Sequence, residues 1–338
     1  MEQKSEHIII IAEAGVNHNA SLQCARQMVI EARKAGADYV KFQTAVPELV
    51  ISSVAPKAEY QKETTGNSES QLDMCRAIHL PLSAYAELAR LCREVGIGFM
   101  STPFDLVSID TLAEIGQDYW KIPSGEITNL PYLRKIASKG GRVILSTGMS
   151  TLSEVADAVQ VLEKGGIPRR DITLLHCTTQ YPTPMTDVNL RAMNALRELG
   201  CGAVGYSDHT LGIEIPVAAA AMGARVIEKH FTLDRNLPGP DHRASLTPDE
   251  LAEMVRSVRN VETALGNGQK TVAEAERANI EVARKSIVAA RDIKAGELLT
   301  EENITVKRPG NGISPMEWDN VLGTRAIKDF AYDSLIEI

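Results

Sequence analysis

The sequence predicts an α/β protein, a (β/α)8 TIM barrel followed by a small second domain. Three observations predict it. Eight short apolar runs each precede a stretch with helical apolar spacing, and no hairpin signal intervenes, so the strands should be parallel. The eight units fill about 265 residues, a normal span for a closed barrel. No GxGxxG follows the first run, which weakens a dinucleotide-binding sheet. After Gly266 the composition becomes polar and then breaks into short β-like runs, which marks a change of domain.

The elements follow in order. Residues 8–12 (IIIIA) are a β-branched strand, and 21–35 place Leu22, Ala25, Met28, Val29 and Ala32 at helical spacing, closed by Gly36. The second strand is 37–43, and a long connection, 44–69, leads to helices near 70–78 and 82–95. Strand 97–102 precedes helix 106–115, and strand 119–122 precedes helix 129–138. Strand 142–147 leads to a capping box, Thr151 with Glu154, that opens helix 151–164. Strand 172–177 precedes helix 187–199, and strand 202–207 precedes helix 212–222. The eighth strand, 224–231, precedes helix 248–265, which has Thr247 as its cap and Pro248 at its first position. The expected domains are a barrel over 1–266, a linker over 267–283, and a second domain over 284–338 whose own core is small.

Composition narrows the function. The chain has 338 residues and a formal net charge of -8, against a nucleic-acid partner. Its five cysteines form no CxxC pair and read as reduced thiols, so a cytoplasmic setting is expected. No apolar run has membrane-spanning length.

In such barrels the chemistry sits where strands end. The first strand delivers Glu13 and then Asn17 and His18, and the second delivers Lys41 and Gln43. The third gives Ser101 and Thr102; the fourth gives Lys121, Ser124 and Glu126; the fifth gives Ser146 and Thr147. The sixth offers His176, Thr178 and Thr179, the seventh Ser207, Asp208 and His209, and the eighth Glu228, Lys229 and His230. His209 and His230 follow neighbouring strands, which lie about 4.8 Å apart. Two imidazoles there suit a divalent cation in oxygen-rich surroundings, Mn2+ or Mg2+ rather than structural zinc. Asp241 in the turn PGPDH is placed to serve the same site. Lys41 and Lys121, with Thr102, Ser124 and Ser146, suit a phosphate and a carboxylate, and Glu126 suits acid–base work. A rival use of one lysine is a Schiff base, as in barrel aldolases. His176 reads as a packed interior residue, and His7 and His79 as surface residues.

The segments AEAGVNHN, KFQT, STPFD, KIPSGE, STGMST, HCTTQYPTP, YSDHT, EKHFTLD, PGPDH and KRPGNGISPMEW appear in one order from residue 8 to the end. On these the chain resembles the bacterial sialic acid (N-acetylneuraminate) synthases. The resemblance implies a (β/α)8 barrel with a C-terminal antifreeze-protein-like (SAF, β-clip) domain. It implies condensation of phosphoenolpyruvate with N-acetylmannosamine and water to give N-acetylneuraminate and phosphate by C–O cleavage. The alternative acceptor is the diacetamido-trideoxyhexose of legionaminic or pseudaminic acid synthases. A Schiff-base sialic acid lyase and a non-catalytic sugar-binding protein are rivals of other classes.

By the same resemblance His209 and His230 are ligands to a divalent metal, Mn2+ in the first place, with Mg2+ or Co2+ as substitutes. Lys41, Thr102, Lys121, Ser124, Ser146 and Ser207 hold phosphoenolpyruvate. Gln43, Glu126, Tyr181 and Asp241 lie near the sugar, and Glu13 and Asn67 near the reacting centre. Thr179 stands where some members carry an asparagine that contacts phosphoenolpyruvate. The resemblance further implies a domain-swapped homodimer in which Arg308, in VKRPGNG, reaches the sugar's N-acyl group from the other chain; Lys307 reads as its exposed neighbour.

Overall fold

The computed structural model describes residues 7–65 and 69–338. The chain divides into two compact units, Met1–Asn267 and Gly268–Ile338.

The first unit is a barrel of eight parallel strands: β1 Ile9–Gly15, β2 Tyr39–Thr44, β3 Gly98–Pro103, β4 Tyr119–Ile122, β5 Arg142–Ser146, β6 Ile172–His176, β7 Ala203–Asp208 and β8 Val226–His230. The hydrogen-bonded order runs β3-β2-β1-β8-β7-β6-β5-β4, so the ring has one seam without a ladder, between β3 and β4. Gln117, just ahead of β4, reaches across that seam: its Oε1 accepts from the Ser101 amide at 2.9 Å.

Alternation along the strands sorts their residues into two environments. Ile11, Met100, Tyr119, Ile144, Leu175 and Val226 meet inside the ring as one apolar layer. Val40, Phe42, Ile122, Leu145 and Leu174 point outward into the larger core that the strands share with the helices. Gly205 of β7 has no room for a side chain in the inner layer, because a Cβ there would lie 2.3 Å from the Val226 carbonyl oxygen and 2.7 Å from Leu175 Cδ2.

Caps fix where the chain turns from strand to helix. Ser21 accepts from Cys24 N ahead of helix Leu22–Ala35. Asp105, after β3, accepts from Val107 N and Ser108 N at 2.9 and 2.8 Å, and also from Val46 N at 2.8 Å, so one carboxylate ties the ends of β2 and β3 together. The expected capping boxes at Thr151 and Thr247 are both present. The helix expected over 187–199 is shorter, Ala192–Arg197. A 3-10 turn at Met185–Asp187 precedes it, and Asn189 has φ 46°, a left-handed conformation that no helix continues through.

The second unit contains helix Arg277–Ala283 and the antiparallel pair β9 Ser286–Ala289 and β10 Ile304–Lys307. Isolated bridges at Val288–Leu335, Ile293–Phe330 and Leu298–Arg325 extend the β structure. Ile287, Ile293, Leu299, Ile304, Val321, Phe330 and Ile336 form its own apolar core.

Candidate active site

The polar layer at the C-terminal ends of the strands is generated by the alternation that builds the apolar one. Two residues beyond Ile11, Met100, Tyr119, Ile144, Leu175 and Val226 stand Glu13, Thr102, Lys121, Ser146, Cys177 and Glu228. Lys41 and Ser207 complete the ring from β2 and β7. All but Cys177, whose Sγ lies 3.3 Å from Ser124 Oγ, are polar or charged, and all are buried.

Within this layer the charges interlock. Lys41 Nζ lies 2.7 Å from Glu13 Oε2 and 3.5 Å from Glu228 Oε2, and donates to Thr102 Oγ1 at 3.0 Å. Lys121 Nζ lies 3.4 Å from Glu228 Oε1 and donates to Ser146 Oγ at 2.8 Å. Ser207 Oγ donates to Glu228 Oε1 at 2.8 Å, and Gln43 Nε2 donates to Glu13 Oε1 at 3.2 Å. Glu228 therefore bridges the two lysines. Burial opposes its ionisation, but Lys121 and Lys41 outweigh burial and hold its pKa at about 2. Burial dominates at Glu13, against the pull of Lys41, and pushes its pKa up to about 7. Two adjacent carboxylates thus differ in charge near neutrality, a pattern found where one group holds a proton and the other an ion.

One layer further out stand the histidines. The His209 and His230 ring centroids are 5.4 Å apart, and Tyr181 covers both, at 4.1 and 5.6 Å. His209 Nδ1 pairs with the Thr178 carbonyl at 2.7 Å, which makes Nδ1 the donor and leaves Nε2 with its lone pair. Among the described residues His230 Nδ1 is buried without a hydrogen-bond partner. Burial lowers the His209 pKa to about 4 and carries that of His230 well below its ordinary value. Neutral imidazoles with a free nitrogen are the form in which histidine binds a divalent cation, and these two residues fit one.

These residues line a cavity of about 470 Å³ in the first unit. Of the residues expected from sequence, Glu13, Lys41, Gln43, Thr102, Lys121, Ser124, Ser146, Thr179, Tyr181, Ser207, His209, His230 and Asp241 are brought together on its wall. Asp241 is buried there, and burial raises its pKa to about 6. Gly148, after β5, is confined where three strand ends converge: a Cβ would lie 2.7 Å from Thr179 Cγ2 and 2.9 Å from Ser124 Oγ, and its amide donates to Ser124 Oγ at 3.0 Å.

Three expected residues are not among these. Glu126 ends the turn Ser124–Glu126 beside the cavity but is not on its wall; its carboxylate accepts from Asn129 Nδ2 at 2.6 Å, and burial raises its pKa. Asn67 lies outside the described residues. Arg308 belongs to the second unit, where its exposed side chain donates from Nε to the Ala283 carbonyl at 3.1 Å. Lys307 is less exposed than expected, because it pairs with Asp333 and lies over the Tyr332 ring.

His79, expected at the surface, is half-buried and lines the cavity, with Nδ1 2.9 Å from the Cys75 carbonyl. The reason is that helix Gln71–Ile78 packs over the barrel mouth rather than into solvent, a placement that helical periodicity does not reveal. Cys177 is a cavity residue that sequence reasoning left out, and Glu228 was named at a strand end but given no role; counting two residues beyond each inward apolar position singles out both. His176 points outward, edge-on to Tyr206 and paired with the Val188 carbonyl, as a packed residue should.

Comparison with known proteins places this geometry. The NeuB family model matches residues 28–270, and the SAF domain model matches 284–337. The chain belongs to the NeuB family. Among its NeuB-family relatives is N,N'-diacetyllegionaminic acid synthase of Campylobacter jejuni, 52% identical over 97% of this chain and 98% of its own. The protein of that name from Legionella pneumophila is 46% identical over 94% of this chain and 89% of its own. Among solved structures, N-acetylneuraminic acid (sialic acid) synthetase from Leptospira borgpetersenii is 34% identical with a TM-score of 0.71, covering 83% of this chain and 94% of that one. The expected barrel and SAF domain, and the family itself, are thereby shown.

Proposed function

We propose that the protein is an N,N'-diacetyllegionaminic acid synthase, which joins phosphoenolpyruvate to a 2,4-diacetamido-trideoxyhexose and releases phosphate. The observation that carries the chemistry is the pair of buried lysines, Lys41 and Lys121, bridged by Glu228 beneath a neutral histidine pair. The acceptor follows from the two legionaminic acid synthases at 52% and 46% identity, against 34% for the sialic acid synthetase. This moves the reading from N-acetylmannosamine, the first expectation, to the alternative.

Each substrate has residues suited to it. Lys41 and Lys121, with the hydroxyls of Thr102, Ser124, Ser146 and Ser207, offer two cations and a set of donors to the phosphate and carboxylate of phosphoenolpyruvate. Gln43, Tyr181 and Asp241 face the outer cavity and suit the polar acceptor, and Thr179 keeps one donor where some relatives carry an amide. Arg308 is assigned to the acceptor's acyl group, supplied by a second copy of the chain in a swapped homodimer. His209 and His230 would hold a divalent cation, Mn2+ in the first place, which when bound polarises the aldehyde oxygen of the acceptor as a Lewis acid.

In the reaction, C3 of phosphoenolpyruvate bonds to the aldehyde carbon, whose oxygen takes up a proton. Water bonds to C2 and gives up one proton to leave a hydroxyl. The C2–O bond to phosphate then breaks with its electron pair leaving on phosphate, and the hydroxyl passes its proton to the departing phosphate as C2 becomes the ketone carbon. Glu13 retains a proton near neutrality at the centre of this layer and is the group placed to move it; Glu126, held by Asn129 beside the cavity, is the second candidate. Phosphoenolpyruvate carrying 18O in its bridging position tests the route: the label should leave in phosphate. Label retained in the sugar acid would overturn C–O cleavage. Borohydride with pyruvate should trap no lysine adduct, and a trapped adduct would favour the Schiff-base lyase.

A further inference from the structure

The ends of β7 and β8 carry an ion pair that the reaction above does not use. Asp208 and Lys229 are Cα partners across the two strands, and each immediately precedes one of the histidines, Asp208 before His209 and Lys229 before His230. Both side chains turn away from the cavity and are completely buried. Lys229 Nζ lies 2.5 Å from Asp208 Oδ2 and donates to the Thr210 carbonyl. Asp208 also accepts from Thr210 N at 3.1 Å and from Thr210 Oγ1 at 3.0 Å. The residue after His209 is thus tied to both the residue before it and the residue before His230.

A fully buried ion pair is a poor source of stability, because desolvation offsets the attraction and apolar residues of similar volume often do as well. What it supplies is geometry: two strand ends held at one register and one separation. We propose that Asp208, Lys229 and Thr210 form a clamp behind the histidine pair, setting the spacing and aim of His209 and His230 for a shared divalent cation. They are positioning residues, acting on the cation only through the imidazoles. The proposal rests on the metal reading given above.

The test uses the full-length protein and Mn2+ alone, with no substrate. Mn2+ binding is measured by calorimetry and by electron paramagnetic resonance in the wild type and in the double variant Asp208→Asn, Lys229→Met, which removes both charges and leaves neither unpaired. The clamp predicts a Kd raised about 10- to 100-fold, the usual cost of losing an outer-shell partner, with a changed resonance spectrum and a Tm within a few degrees of the wild type. Thr210→Val, which keeps shape and loses one hydroxyl bond, should weaken Mn2+ several-fold and decides the matter if the double variant does not fold. Wild-type affinity and spectrum in a folded variant would overturn the clamp and leave the metal reading intact. Absence of stoichiometric Mn2+ binding in the wild type would overturn the metal reading and the clamp with it.

Discussion

At the scale of single residues, the site depends on which groups carry protons and which have no room to change. Glu13→Gln should lower kcat at least about 100-fold, the usual contribution of a proton-transferring group, while phosphoenolpyruvate still binds. Glu126→Gln, whose parent carboxylate is turned to Asn129, should have the smaller effect. The reverse ranking in steady-state kinetics would return the proton-handling role to Glu126. Asp241 gives a prediction in pH. Its folded-state pKa, about 6, lies above the ordinary 3.8, so between those values the folded protein binds more protons than the unfolded chain. Stability is therefore lost as pH rises from about 4 to about 6, and the loss at neutral pH is about 3 kcal/mol. Asp241→Asn in metal-free protein should raise Tm at pH 7.5 and leave it unchanged at pH 4. An equal change at both values would contradict the burial account. Most of these residues were legible in the sequence because strand ends can be counted. His79 was not, since its exposure depends on where helix Gln71–Ile78 packs, which no local pattern records.

At the scale of elements, the barrel's weak point is its seam. Ser101 is fully buried, and its amide is satisfied by the Gln117 side chain rather than by a neighbouring strand. Gln117→Ala should cost about 1–3 kcal/mol, the penalty for an unpaired buried donor, and should raise hydrogen exchange at Ser101 before the other strands. Protection there equal to the wild type would show that the seam does not need Gln117. Gly148 is the corresponding device at the mouth. Gly148→Ala would press on Thr179 and Ser124 and should destabilise by about 1–3 kcal/mol, as overpacking does, with a raised KM for phosphoenolpyruvate. Unchanged stability and KM would mean that the crowding is relieved by small shifts. The strands followed from the alternation of short apolar runs with helical spacing, and two of the helix caps from Thr151 and Thr247. The late start of the helix at Ala192 did not, because the apolar spacing begins before Asn189 while the backbone there is left-handed.

At the scale of the molecule, two compact units each have a core, and the second needs none of the barrel's residues to form its own. The proposed homodimer predicts a solution mass near twice 36.8 kDa. Arg308→Ala should raise KM for the sugar at least about tenfold, the loss of one charge-assisted hydrogen bond of roughly 1.5–3 kcal/mol, and leave KM for phosphoenolpyruvate unchanged. A monomer, or an unchanged sugar KM, would make VKRPGNG an ordinary turn. Sequence reading reached the family because its motifs stand in one order along the strand ends. It left the acceptor open, because the cavity wall is assembled from distant segments such as Val50, Met74 and Ile78. The acceptor is therefore where the account is most exposed. With phosphoenolpyruvate and Mn2+ present, kcat/KM should be at least tenfold higher for the 2,4-diacetamido-trideoxyhexose than for N-acetylmannosamine, a difference of roughly 1.4 kcal/mol. Equal values, or a preference for N-acetylmannosamine, would contradict it.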